Sequence, residues 1–382
     1  MLTPRMFSAA AAATAAASLT LAAGSAAARP LFHGHDYRGP AGAVFVQTDN
    51  TAGNAIVVYD RSHDGTLSAT GTYPTGGNGG VLQGSQVDHL ASQNALVYDA
   101  DAGELFAVNA GSNTVSVFGV NGDRLHLRQV VGSGGSFPVS VTVHGDLVYV
   151  LNATAGGTVQ GYRLTGGFLA PIPGSSRPLG LDPNETPQFT STPGDIAFTP
   201  GGRDLIVTTK NNENDIDVFA VNAFGLPSAT PVVNSEPGDV PFSVAFEGAN
   251  QVDVGEAGPN AVASFALHGN GTLQPLHSVA TGGAATCWLV ADGPVLFAGN
   301  AGSATESSVL DSPFGDLVLT ATTATDPGTV DAATSPDGRY LYVQTGGNGV
   351  VDEFRVGSAG TLNEVGSVTV PNAVAGQGIA TS

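Results

Sequence analysis

A unit of three short strands recurs seven times along this chain, and that periodicity limits the possible folds more than any bulk property does. Each unit opens on an apolar or alternating strand ending in a small polar residue. These are VFVQTD from Val44, LFAVNA from Leu105, VYVLNA from Val148, LIVTTK from Leu205, VDVGEA from Val252, LFAGNA from Leu296 and LYVQTG from Leu341. A loop rich in Gly, Asn or Thr follows, then a second strand reaching a bulky residue: Tyr59, Phe118, Tyr162, Phe219, Phe265, Leu310 or Phe354. The offset between these two anchors stays at 13 to 15 residues. A glycine turn and a leucine then begin a third strand, at Leu67, Leu125, Leu169, Leu226, Leu273, Leu317 and Leu362.

Six units carry a further strand ahead of the first: NALVYD from Asn94, PVSVTV from Pro138, DIAFTP from Asp195, PFSVAF from Pro241, ATCWLV from Ala285 and VDAATS from Val330. Glycine turns join it to the next strand, clearest at Pro336-Asp337-Gly338-Arg339, because a tight hairpin needs a residue at positive φ. The first unit lacks this strand, yet Gly378–Ser382 matches it. Pairing that tail into the first unit would close a ring and remove two exposed sheet edges, which an open solenoid would retain. The expected fold is all-β: a seven-bladed β-propeller over residues 44–382, four antiparallel strands per blade, closed by the C-terminal strand.

The N-terminus reads differently. Arg5 precedes an Ala/Leu/Thr-rich stretch, and Ser25-Ala26-Ala27-Ala28 stands before Arg29-Pro30, the pattern of a charged n-region, an apolar h-region and a small-residue cleavage site. Residues 1–28 are therefore expected to be a signal peptide and 29–43 an N-terminal segment ahead of the propeller. With no twin arginine, the general secretory route is expected, giving a secreted, extracellular or envelope-associated protein. No later run is long and apolar enough for a membrane helix. The formal charge is −20, with Lys210 the sole lysine, so clustered cations that would neutralise nucleic-acid phosphates are missing. The single cysteine, Cys287, cannot form an internal disulfide and lies in an apolar run, as a buried inert thiol would.

Units recur at spacings of 43 to 47 residues except for two, of 61 and 57. The surplus lies in Thr75–Gln93 and Gly174–Thr192, both joining the last strand of one unit to the first of the next. In a propeller these connections share one face with the loops after the VNA-type segments, and insertions gathered on one face are where sites are built. The candidate ligand site on that face comprises Lys210, Glu213, Glu256, Asp88, His89, Arg177 and Asp182. Asn109, Asn152 and Asn300, which end their strands, are expected to cap the following turns. No G-x-S-x-G elbow, HExxH or paired-cysteine motif appears, and neither a cofactor nor a metal is expected; His33-Gly34-His35-Asp36 could grip an ion but precedes the first blade.

With LFAVNAGSNTVSVF at Leu105–Phe118 as its clearest instance, the column pattern resembles the seven-bladed lactonase-like propellers, which include bacterial 6-phosphogluconolactonases and fungal carboxymuconate lactonising enzymes. VYVLN at Val148 also resembles the repeat of surface-layer propellers, which generally bind. The lactonase resemblance implies chemistry by a His, a Glu and arginines on the loop face. This chain departs there: Pro193-Gly194-Asp195 stands for the family's Pro-Arg-His, Thr209-Lys210 for its Asn-Glu, and the segment before blade three reads Phe137-Pro138-Val139-Ser140 with no histidine. The sequence thus favours a binding or envelope-associated module that holds a carbohydrate, peptide or protein. The alternative is a lactone hydrolase or lactonising enzyme with an altered site, Lys210 stabilising charge and Glu256 or His89 acting as base.

Overall fold

In the computed structural model, the structure describes residues 41–382 except 313 and 315. The expected signal peptide, most of the 29–43 segment and the His33–Asp36 motif lie outside the described residues. Seven antiparallel sheets succeed one another along the chain, as the repeat requires. Blade two shows the plan: Leu96–Asp99 innermost, then Glu104–Asn109, Thr114–Asn121 and Arg124–Gly132 at the rim. The other inner strands are Pro138–His144, Ile196–Phe198, Pro241–Glu247, Thr286–Asp292 and Thr329–Thr334. Each inner strand packs against its two neighbours, so the ring is continuous.

Blade one takes its inner strand from the other end of the chain. Ile379–Thr381 pairs with Gly42–Gln47, placing Val44 opposite Thr381 and Val46 opposite Ile379. The strand edge that would otherwise stay open is thereby covered. Blade three has an extra piece: Arg177–Pro178, inside the second enlarged connection, pairs with Thr158–Val159 and prolongs the rim.

The repeat columns become the inter-blade core. Tyr59, Phe118, Tyr162, Phe219, Phe265 and Phe354 are all buried, and alternate residues of the second and third strands from each blade pack on the next. A β-bulge falls at this column in five blades, between Val58 and Tyr59, Val117 and Phe118, Ser264 and Phe265, Ser308 and Val309, and Glu353 and Phe354; in blade six the column falls on Val309, opposite Leu296, and not on the expected Leu310. Each bulge adds local twist, which a radial blade needs. Gly338 has φ 64 in the hairpin of blade seven, the conformation that turn demands. Asn109, Asn152 and Asn300 are fully buried; Asn300 Nδ2, for example, donates to the Thr305 carbonyl at 3.2 Å, closing the loop after its strand.

Two faces result. On the hairpin face each inner strand turns into its neighbour; on the loop face each rim strand crosses to the next blade. Both enlarged connections lie on the loop face.

Candidate functional site

The loop-face end of the central channel is set by one residue per blade, the one aligned with Ser140 of blade three. In ring order these are Gly378, Ala95, Ser140, Asp195, Ser243, Trp288 and Asp331. Bulges beside Ser140, Ser243, Trp288 and Asp331 re-aim the strands here. Two carboxyls therefore enter a ring of otherwise uncharged residues. Asp195 accepts from Ser140 Oγ at 2.9 Å, Asn94 Nδ2 at 3.0 Å and the Val244 N–H at 3.0 Å, tying blades two to five. Asp331 accepts from Gln377 Nε2 at 2.9 Å, and the Gln377 N–H donates to Asp49 Oδ2 at 2.6 Å.

The first enlarged connection lies across this ring. Its last residues bond to blades on every side: the Gln93 side chain both donates to and accepts from the Leu289 backbone at 2.8 Å, and Trp288 Nε1 donates to the Ser92 carbonyl at 2.7 Å. Ser92 Oγ donates to the Val139 carbonyl at 2.9 Å, and the His89 N–H to the Ala375 carbonyl at 2.8 Å. The connection is a plug, fixed by obligatory backbone groups that would be costly to bury unpaired.

Lys210 locks the plug to the second connection. The last residue of each VNA-type segment is Asp49, Ala110, Ala153, Lys210, Ala257, Ala301 and Gly346, so only two blades carry charge there. Lys210 is 1% exposed; its Nζ donates to the Ala91 carbonyl at 2.6 Å on the plug, and to the Phe189 carbonyl at 2.8 Å and Thr192 Oγ1 at 3.3 Å on the second connection. The ammonium also lies 5.2 Å from the centre of the Phe242 ring. Burial pushes its pKa down to about 7, opposed by Asp88 and by Cys287. Asp88 is buried as well, with its carboxylate held by the Leu90 and Ser92 N–H groups at 2.8 and 3.1 Å. Burial lifts its pKa to about 6 against those bonds and Lys210. In the same belt burial raises Asp195 to about 7, Asp331 to about 8, and Asp49 well above the usual range. Groups that gain or lose a proton near neutrality are thus gathered at one end of the channel. Cys287, 9% exposed, is pushed up to about 12 by burial and stays a thiol.

The structure brings Lys210 and Asp88 together, while the His89 ring is directed to the backbone of Asp49 in blade one. His89 is half-buried, its Nδ1 has no partner, and burial holds its pKa below the usual value. Glu256 stands one blade on, 4% exposed, and burial with Asp239 and Glu236 raises it to about 8. Glu213 is exposed at φ 84 in the loop after Lys210. Asp182 is exposed and accepts from the Asn184 N–H at 2.9 Å. Arg177 lies at the rim of blade three, where its guanidinium donates to the Ser228 and Pro227 carbonyls at 2.6 and 2.5 Å and so clamps the second connection to blade four. Asp195, Asp331, Gln93, Gln377 and Trp288 were missed as site residues. The available signal was two acids, at 195 and 331, in a column whose other members are uncharged. Among the described residues no group of three or more His, Cys, Asp or Glu side chains could hold a metal ion.

A propeller of seven four-stranded blades whose loop-face channel end is lined with titratable groups belongs to a class of ring-shaped proteins that carry either enzymes or binding modules. The family model described as "Lactonase, 7-bladed beta-propeller" matches residues 79–374, so this chain belongs to that lactonase family. Among solved structures it is similar to the Pseudomonas aeruginosa periplasmic gluconolactonase, at 20% identity and a TM-score of 0.69 over 86% of this chain and 96% of that one. A Bacteroides fragilis protein provisionally called a 6-phosphogluconolactonase matches at 18% identity and a TM-score of 0.69, covering 89% and 98%. A Lactobacillus plantarum protein matches at 18% identity and a TM-score of 0.71, covering 89% and 99%. Likeness at these identities speaks for the fold. No curated protein matches in sequence. Among the described residues no helix is long and apolar enough to cross a membrane.

Proposed function

We propose that this protein is an exported lactone hydrolase whose site is the loop-face end of the channel. The observation that carries the reading is membership of the lactonase family along nearly the whole propeller; it favours the lactone-acting alternative over a pure binding module. The local chemistry suits the reaction. Water adds to the lactone carbonyl, the ring C–O bond breaks, and the proton lost by water ends on the alkoxide, leaving a hydroxy acid. His89, with an unpartnered ring nitrogen and a lowered pKa, takes that proton. Lys210 stabilises the tetrahedral oxyanion once its Nζ is released from the Ala91 carbonyl. The favoured substrate is an unphosphorylated sugar-type lactone, because Lys210 is assigned to the oxyanion and Arg177 is committed to the Ser228 and Pro227 carbonyls, leaving neither to hold a phosphate.

The test is ring opening of aldonolactones with and without a phosphate, followed by pH-stat against spontaneous hydrolysis, for the wild type, Lys210→Met and His89→Gln. We expect turnover of the neutral lactone and a loss of about 100-fold or more in each variant. Turnover at background in the wild type, or equal rates in all three proteins, would reject the assignment.

A further inference from the structure

The interface between blades five and six buries two carboxyls in columns that are otherwise mostly apolar. The second residue of each first-strand segment is Phe45, Phe106, Tyr149, Ile206, Phe297 or Tyr342 in six blades, all of them buried. In blade five it is Asp253, on the strand Gln251–Glu256. Blade six answers with Asp311, the last residue of its third strand, Thr305–Asp311. That position, opposite the leucine that opens the rim strand, is Val120, Leu164, Leu267 or Val356 in other blades and Arg61 in blade one. Asp253 is 0% exposed and Asp311 4%. Gln251 Nε2 donates to Asp311 Oδ2 at 2.5 Å and to Asp253 Oδ1 at 3.4 Å, so a single amide holds the two groups side by side. The remaining oxygens, Asp253 Oδ2 and Asp311 Oδ1, receive no N–H or O–H from the protein. The two carboxyls lie within hydrogen-bond reach of each other.

Two ionised carboxylates in contact repel each other, and burial strips both of the water that would screen them. A pair so placed keeps one proton, and the protonated carboxyl donates its O–H to the other. Burial raises the pKa of both groups, and Asp311 raises Asp253 further. The charged groups facing the pair are Glu247, at the end of the inner strand of blade five, and Asp316, in the turn after Asp311; both are acidic, so neither offsets a second negative charge. A groove of about 430 Å³, lined by Glu247, Gln251, Ala266, Leu276 and Phe314, leads in from the surface beside the pair.

We infer that Asp253 and Asp311 form a pH-sensitive clasp between blades five and six: one proton held between the two carboxyls keeps the interface closed, and opening releases it. The clasp is independent of the lactone chemistry. When closed, the pair carries one proton; when opened to water, both groups titrate as ordinary aspartates and carry none above a pH of about 5. Closure is therefore tightest in acid, and each pH unit between about 5 and 7 favours opening by up to about tenfold.

The experiment is hydrogen–deuterium exchange of the whole chain at pH 5 and pH 7, read by mass spectrometry and corrected for the intrinsic pH dependence of amide exchange. Between the two, Gln251–Glu256 and Thr305–Asp311 should lose protection by at least about tenfold more than Leu147–Asn152 of blade three, where Tyr149 fills the Asp253 position. Asp311→Asn offers an N–H to an ionised Asp253 and needs no proton, so the excess loss should vanish. Asp253→Asn does the same from the other side and serves if the first variant fails to fold. An equal loss in blades three, five and six of the wild type would overturn the clasp, whether or not either variant folds. An excess that persists in a folded variant would overturn the shared proton.

Discussion

Glu306 occupies a position that six other blades give to Ile56, Val115, Val159, Ile216, Val262 and Val351. It is 1% exposed and neither carboxyl oxygen has a hydrogen-bond partner. Burial raises its pKa well above the usual range, so the folded chain keeps a proton there. An unfolded chain releases that proton above pH of about 4.3, and the folding penalty therefore grows as pH rises. Glu306→Val should stabilise the protein by about 1–3 kcal/mol near pH 8 and by less at pH 5. Urea unfolding at the two pH values decides it; equal stabilisation at both would mean the carboxyl is not protonated in the fold. Residue-level legibility was uneven for physical reasons. The capping role of Asn109, Asn152 and Asn300 follows from side-chain chemistry acting within a few residues. The bond from Lys210 to Ala91 spans 119 positions and depends on how two insertions fold.

At the scale of elements, the Ile379–Thr381 strand does more than fill a gap. It covers the edge of Gly42–Gln47, and Gln377 beside it links Asp49 to Asp331. Deleting Gly378–Ser382 should lower the melting temperature by about 5 °C or more and promote association through the bared edge. Circular-dichroism melts and light scattering read both effects; an unchanged melt would show that the closing strand adds no stability. The missing strand was legible because the repeat made its absence conspicuous. The enlarged connections were legible as surplus length, but their conformation was not, since neither carries a periodic pattern. The second even spends part of its length on Arg177–Pro178 as strand.

At the scale of the whole fold, buried acids outnumber buried bases among the described residues. Burial lifts Asp88 to about 6, Asp195, Asp217 and Glu353 to about 7, and Asp253, Glu256 and Asp331 to about 8. Each holds a proton in the fold that the unfolded chain has lost, so stability is full below the ordinary carboxylate range and falls as pH rises to about 8. Lys210 acts in the other direction, its lowered pKa favouring the fold as pH rises above about 7. His89, likewise lowered by burial, acts with Lys210, and the raised carboxyls outnumber the two. The unfolding midpoint in urea should therefore be higher at pH 5 than at pH 8, and the reverse order would show that these carboxyls are ionised inside. The fold class followed from the repeat, whereas this pH response depends on burial at particular columns and is visible only in three dimensions.

The shared sheet of blade one also constrains the order of assembly. Its inner strand is the last of the propeller to be synthesised and its partner the first, more than 330 positions apart. Blades two to seven can form as they emerge, since each is local in sequence, but the circle can be sealed only after translation has reached Thr381. Until then both ends present unpaired backbone, so a nascent chain of this kind remains vulnerable to mispairing for nearly the whole of its synthesis.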